Sequence, residues 1–410
     1  MTDRGRVYQV LLYGDVVGHL AEDDRGAVRF AFTRSYRNQP NRPVLGQWFE
    51  DDLARTRVGK PGELPAFFAN LVPEGGLRNL VETAFDIEPG DDLGVLGAVG
   101  RDLPGAVEVI ESDDDIDLGK APANELNATG TRGEVGGLRF SLAGVQLKFS
   151  ALRQEDKITL PAKGQRGEWI VKLETRAYPG LVANELSTLE WARAAGFEVP
   201  ECHIHAVSDV HGLPGKHVSD GGQVLAIKRY DRTSTGSVHQ EDFSQVTGGL
   251  PGKKYDHVTY EGLAAIVRGL DGQQGYDDFV RRLAFVIATG NHDAHLKNWS
   301  LIYPDRVNAQ LSPLYDQVCV IAFPGLDTRL ALKLGGIKSF AEISRGTLAK
   351  FAIKLGDTPD RVTALVMDTI AQVATAWRRI RTDVPMPTAH RIALREHWET
   401  VPILRGNSPL

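Results

Sequence analysis

The sequence predicts an α+β fold in which a β-rich half precedes a mostly helical half, with an extra small β-rich domain at the N-terminus. Three observations carry this. Short alternating apolar and polar runs, separated by Gly/Asp turns, fill residues 6–33, and a second set of strand-like runs lies between 138 and 232. From about residue 240 the apolar spacing becomes helical, over 260–270, 276–290, 346–356, 359–380 and 387–401. Between the two β blocks, ESDDDIDLGKAPANELNATGTRGEVGG is acidic and then small and Gly-rich, as linkers are. The expected divisions are 1–110 for the N-terminal domain, 111–137 for the linker, 138–232 for the β-rich block and 233–410 for the helical half.

In chain order, RVYQVLLYG, a turn at Gly14-Asp15, VVGHLA, a charged turn at Glu22–Arg25 and AVRFAFT predict a β-meander. Pro40 and Pro43 end that pattern. LPAFFANLVPEGGLRNLVETAF reads as helical on both sides of the Val72-Pro73-Glu74 step, with Phe67, Phe68 and Leu71 as core residues. LRFSLAGVQLKFSALRQ predicts a strand, a tight turn at Ala143-Gly144, and another strand. ITLPAK and GEWIVKLET continue that sheet, the latter carrying Lys172. ANELSTLEWARAAGFE predicts a helix with Glu185, Leu186, Leu189 and Ala192 at helical spacing and Gly196 near its stop. VLAIKRYDR is an apolar strand ending abruptly in charge.

Composition excludes several classes. At 410 residues the chain is long enough for two or three domains. A net charge of −6 argues against broad nucleic-acid binding by this chain alone, since phosphate contacts require a basic face. Two cysteines, Cys202 and Cys319, make neither a disulfide scaffold nor a zinc spacing. No apolar run approaches the ~20 residues of a membrane helix, and MTDRGRVYQV lacks the apolar core of a signal peptide. A cytoplasmic location is the expectation.

The chemistry-bearing stretch is 285–317, FVIATGNHDAHLKNWSLIYPDRVNAQLSPLYDQ. It holds Asp293, Asn298 five residues on, and Asp316 just past an expected Leu-Ser-Pro-Leu-Tyr strand. An Asp that accepts a hydroxyl proton, with an Asn and a second Asp that hold magnesium against phosphates, is a phosphoryl-transfer constellation. Gly290-Asn291-His292-Asp293 would equally cap and stop the apolar helix before them. Lys172, followed by a helix bearing Glu185, matches a lysine that binds phosphate oxygens and is oriented by a glutamate. Lys228 and Tyr230 fall where a two-lobed kinase places its hinge, Tyr230 being able to pack beside an adenine ring or simply between lobes. Ala143 and Gly144 permit close backbone approach in a phosphate-covering turn, to which Lys148 adds charge. There is no Walker A spacing and no GxGxxG.

On RFSLAGVQLKFSA, WIVKLE, ANELSTLEWARAAGFEVP, RYDR followed by HQEDFSQ, GNHDAHLKNWSL and LSPLYD, the chain resembles the HipA-like serine/threonine kinases, toxins of HipBA-type toxin–antitoxin modules. FFANLVPEG resembles that family's small N-terminal domain, so the likeness spans nearly the whole chain. The resemblance implies a protein-kinase-like two-lobed fold. It implies Asp293 as the catalytic Asp, His295 beside the nucleotide, Asn298 and Asp316 as magnesium ligands, and Lys172 as the nucleotide-contacting lysine. Lys228 and Tyr230 fall at its adenine hinge, and Ser141 matches its autophosphorylated serine.

The same resemblance implies ATP and magnesium (Mg2+) as cofactors. It implies a translation-machinery protein substrate, an aminoacyl-tRNA synthetase, and a HipB-like helix-turn-helix antitoxin through which operator DNA is met indirectly. Two other classes stand beside this reading. One is a catalytically weak pseudokinase acting as a co-repressor scaffold with a DNA-binding partner. The other is a lipid or small-molecule kinase, which no basic amphipathic helix recommends.

Overall fold

The computed structural model describes residues 5–113, 116, 148–154, 157–160, 166–213, 222–254, 258–326 and 329–407. The expected phosphate-covering turn with Ala143 and Gly144, and Ser141 beside it, lie outside these residues.

The meander forms as its alternation and turns predict. Val7–Leu12, Asp15–Glu22, Ala27–Phe32 and Arg57–Pro61 pair in succession, all antiparallel. A fifth strand, Val107–Ser112, returns to the far side of Val7–Leu12. It pairs Tyr8 with Glu111 and Val7 with Ser112, so the acidic stretch expected to open the linker begins inside a strand. The sheet's core is aromatic: Phe30, Phe49, Phe67 and Phe68 are buried, with the Phe30 and Phe68 centroids 4.8 Å apart. Phe67, Phe68 and Leu71 are core residues, as their apolar setting predicts.

The second sheet has six strands in the order Val210–His211, Lys157–Thr159, Lys148–Gln154, Trp169–Leu173, Gln223–Lys228, Cys202–Ala206. Its central register sets Lys148 opposite Lys172, and Lys172 opposite Leu225. Phe149, Val171, Val224 and Ala226 on this sheet share one apolar core with the N-terminal domain. That joint is reinforced by a dry ion network. Arg229 donates to Asp102 at 3.0 Å and to Asp231 at 2.8 Å, Arg232 joins both carboxylates, and the Gly105 amide donates to Asp231 at 2.7 Å.

The helix Leu181–Ala194 ties the sheet to the helical half, because Trp191 inserts into the latter's core. The Trp191 indole donates to the Val373 carbonyl at 2.7 Å, and its ring lies 4.6 Å from that of Trp377. The two helical patterns at 260–270 and 276–289 join as one element, Tyr260–Thr289, with a break at Gly272 (φ 67°, ψ −158°). Only glycine takes that backbone without strain. The helix ends at Gly290 in the left-handed region (φ 64°), where a Cβ would lie 2.6 Å from Ile321. Helices Arg345–Lys354, Pro359–Ile380 and Thr388–Thr400 complete the half.

The helical half is not purely helical. His239–Asp242, Ser300–Tyr303 and Gln310–Leu311 form a three-stranded sheet, and Arg329–Leu334 pairs with Ile337–Ser339. The Leu-Ser-Pro-Leu-Tyr stretch is a strand only at its first residue, Leu311; residues 312–316 are irregular. Pro313 cannot donate to a ladder, and Asp316 itself takes a positive φ of 54°.

Candidate active site

A cleft of about 1240 Å³ lies between the six-stranded sheet and the helical half, with Asn70, Leu71 and Pro104 of the N-terminal domain also lining it. Lys172 stands in its wall. The Lys172 ammonium lies 2.5 Å from Glu185 Oε1, from the helix behind the sheet, and also pairs with Asp316 from the opposite side. The Lys172 and Glu185 side chains are only 5% and 1% exposed, so this charge is desolvated and persists because it is paired. Burial alone would lower the Lys172 pKa, but Asp316 and Glu185 outweigh it and hold the ammonium above its usual range. Burial would raise the Asp316 pKa, yet Lys172 and Lys148 draw it well below the usual carboxylate range. Glu185 is pushed up by burial, which Lys172 only partly offsets.

The opposite wall is the loop after Gly290. Asp293 is half-exposed, its side chain 51% accessible, so its carboxylate is open to an incoming group. The loop is closed on itself: the Asn298 side-chain amide donates to the Asp293 carbonyl at 2.8 Å, and the His295 amide donates to the same oxygen at 2.8 Å. His295 Nε2 lies 3.8 Å from Asp293 Oδ1. Burial drives the His295 pKa down to about 4, which Asp293 only partly counters, so its imidazole is neutral at pH 7. Asn291 Nδ2 donates to Gln317 at 3.4 Å, linking this loop to the segment carrying Asp316.

The chain thus brings Lys172, Asp293, His295, Asn298 and Asp316 to one cleft from three separate regions, with Glu185 behind Lys172. The hinge pair is also on the cleft. Lys228 is exposed, and its amide donates to Glu201 while that of Arg229 donates to Glu168, both at 2.8 Å. Those two amides are committed within the protein. Tyr230 packs between lobes, its hydroxyl donating to Gln240 and its ring 5.8 Å from Tyr315.

Two oxygen donors, the Asn298 amide oxygen and the Asp316 carboxylate, suit magnesium, which is commonly held by few protein ligands together with substrate phosphates. Lys172 and Lys148 on the same wall suit the phosphates themselves. Lys148 stands at a strand start facing Lys172 across the ladder, buried, its pKa lowered first by that burial.

Sequence reasoning missed a further group of charges. Lys297, Lys254 and Glu74 form a cluster at the cleft, with Lys297 Nζ 2.7 Å from Glu74 Oε1. Lys297 lies inside GNHDAHLKNWSL and carried a local signal. Glu74 lies inside FFANLVPEG, but it is 223 residues away from Lys297, and nothing local paired the two.

Two family models match this chain in order: the HipA N-terminal domain over residues 8–110 and the HipA-like C-terminal domain over residues 140–377. The chain is 37% identical over 405 residues to "Putative kinase Y4dM" of Sinorhizobium fredii, covering 97% of this chain and 98% of that one. It is 25% identical over 309 residues to the serine/threonine-protein kinase toxin HipA of Shewanella oneidensis, covering 68% of each. A chain of the solved Shewanella oneidensis complex of HipA, HipB and its operator DNA has the same fold. It superposes with a TM-score of 0.73 at 20% identity, over 97% of this chain and 96% of that one. With the C-terminal model alone spanning more than half of its length, the chain belongs to the HipA family.

Proposed function

We propose that this protein is an ATP-dependent serine/threonine protein kinase that uses magnesium. The observation that carries the reading is Lys172, clamped between Glu185 and Asp316 in a cleft that also presents Asp293 and Asn298. The acceptor hydroxyl oxygen attacks the γ-phosphorus of ATP, the bond from that phosphorus to the ADP oxygen breaks, and the hydroxyl proton passes to Asp293. Lys172 holds phosphate oxygens, its direction set by Glu185. Asn298 and Asp316 would hold the magnesium, which neutralises charge on the phosphates when bound. Asp316, paired with Lys172 in the structure, would hold the cation together with Asn298, and Lys172 would hold the phosphate oxygens.

The finer reading is that of a toxin. Its substrate would be a translation-machinery protein, an aminoacyl-tRNA synthetase, and it would autophosphorylate on Ser141. A phosphoserine adds about −1.5 to −2 charge at neutral pH, which a slot shaped for ATP phosphates repels. A HipB-like helix-turn-helix antitoxin would neutralise it and carry it to operator DNA. The likeness to a toxin named HipA, and to a chain solved with HipB and DNA, supports this.

The test is intact-mass analysis with site mapping after incubation with ATP and magnesium. One phosphate on Ser141, absent from Asp293→Asn, is expected. An unchanged mass together with no nucleotide binding in a titration would instead favour a co-repressor scaffold.

A further inference from the structure

Glu74 ends the Val72-Pro73-Glu74 step and occupies the N-cap position of the helix Gly75–Phe85. A side chain there ordinarily accepts from the first-turn amides, yet Glu74 makes no such bond. It reaches into the helical half instead. Its Oε1 lies 2.7 Å from Lys297 Nζ and its Oε2 lies 3.6 Å from Lys254 Nζ. Lys297 Nζ also donates to the Asn70 carbonyl at 3.3 Å, and the Asn70 side chain donates to the Gly249 carbonyl at 2.7 Å. Burial would raise the Glu74 pKa, but the two lysines pull it below its usual range.

Lys297 is pinned at its other end as well. Its carbonyl accepts from the Tyr315 hydroxyl at 2.9 Å, and the Leu296 amide donates to the Lys254 carbonyl at 3.3 Å. The residue therefore has its side chain held by the N-terminal domain and its main chain held by the helical half. It sits between His295 and Asn298, both on the cleft.

We propose that Glu74 is a positioning residue for phosphoryl transfer. Through Lys297 it sets where the 295–298 segment, and with it the Asn298 amide, stands in the cleft. The inference rests on the kinase reading above. It makes the N-terminal domain part of the catalytic unit, acting through Lys297.

The experiment compares the full chain with Glu74→Gln, which keeps shape and removes charge, and Glu74→Asp, which keeps charge on a shorter arm. Transfer of radiolabel from ATP to the chain itself should slow about ten- to a hundredfold in Glu74→Gln, the scale of a small misplacement at a reacting centre. The magnesium concentration for half-maximal rate should rise, and Glu74→Asp should recover part of the loss. Hydrogen exchange should quicken at residues 293–298 in Glu74→Gln while the helix Tyr260–Thr289 keeps its protection. An active parent whose Gln variant matches it in rate and magnesium dependence overturns the proposal. A parent that transfers no phosphate removes the kinase reading instead, and exchange then decides alone: unchanged protection at 293–298, or protection lost throughout the chain, overturns the positioning role.

Discussion

Lys172 and Glu185 meet at 2.5 Å, one on a strand of the six-stranded sheet and the other on the helix behind it, in a setting almost without water. Desolvated charges of this kind are sensitive to loss of one partner, because the remaining ion is left buried. Glu185→Ala is expected to destabilise the fold by about 3 kcal/mol and to weaken nucleotide binding. Thermal melting with a nucleotide titration checks both; an unchanged melt would mean that Asp316 alone satisfies the lysine.

Asp293 lines the cleft with its side chain half-exposed, and no other carboxylate shares its loop. Asp293→Asn should cost about 10²–10⁴-fold in turnover, the range of a general base. Binding of ATP with magnesium should persist. Near-normal turnover in this variant would end the assignment.

Asp316 pairs with Lys172 in the structure and is the carboxylate proposed to hold the cation. In Asp316→Ala, magnesium should no longer tighten nucleotide binding, while circular dichroism stays that of the parent. Calorimetric titration with and without magnesium reads this; equal tightening in both proteins would place the metal elsewhere.

Glu241 gives a pH dependence with a defined sign. It accepts from the Gln47 amide at 2.9 Å and from the Tyr303 hydroxyl, joining the N-terminal domain to the helical half. Burial pushes its pKa up from 4.5 to about 8. A folded-state value above the unfolded one means that its contribution is full below about pH 4.5 and is lost as pH rises through about 8. Glu241→Gln removes this titration. Its stability relative to the parent should therefore climb between pH 5 and pH 8, as urea denaturation at the two values would measure. A constant difference would show that Glu241 is ionised in the fold throughout.

Much of this was legible in the chain. Alternation with Gly/Asp turns marked the meander, three-and-four spacing marked each long helix, and Gly290 was readable both as a helix stop and as the start of the candidate catalytic loop. These are local properties, set by side-chain period and backbone freedom within a few residues. The partners of Lys172 were half legible: Glu185 follows it by 13 residues, whereas Asp316 lies 144 away.

The sequence by itself determined the order of the elements, the membership of the family and the residue types at the cleft, since periodicity and motif order are written along the chain. Tertiary structure alone decided that the last strand of the N-terminal sheet pairs with the first, that Lys148 faces Lys172, and that Glu74 reaches Lys297. Those contacts join residues separated by tens to hundreds of positions. They follow from how sheets register and lobes pack, where burial forces each charge to find a partner, and no local pattern encodes which partner it will be.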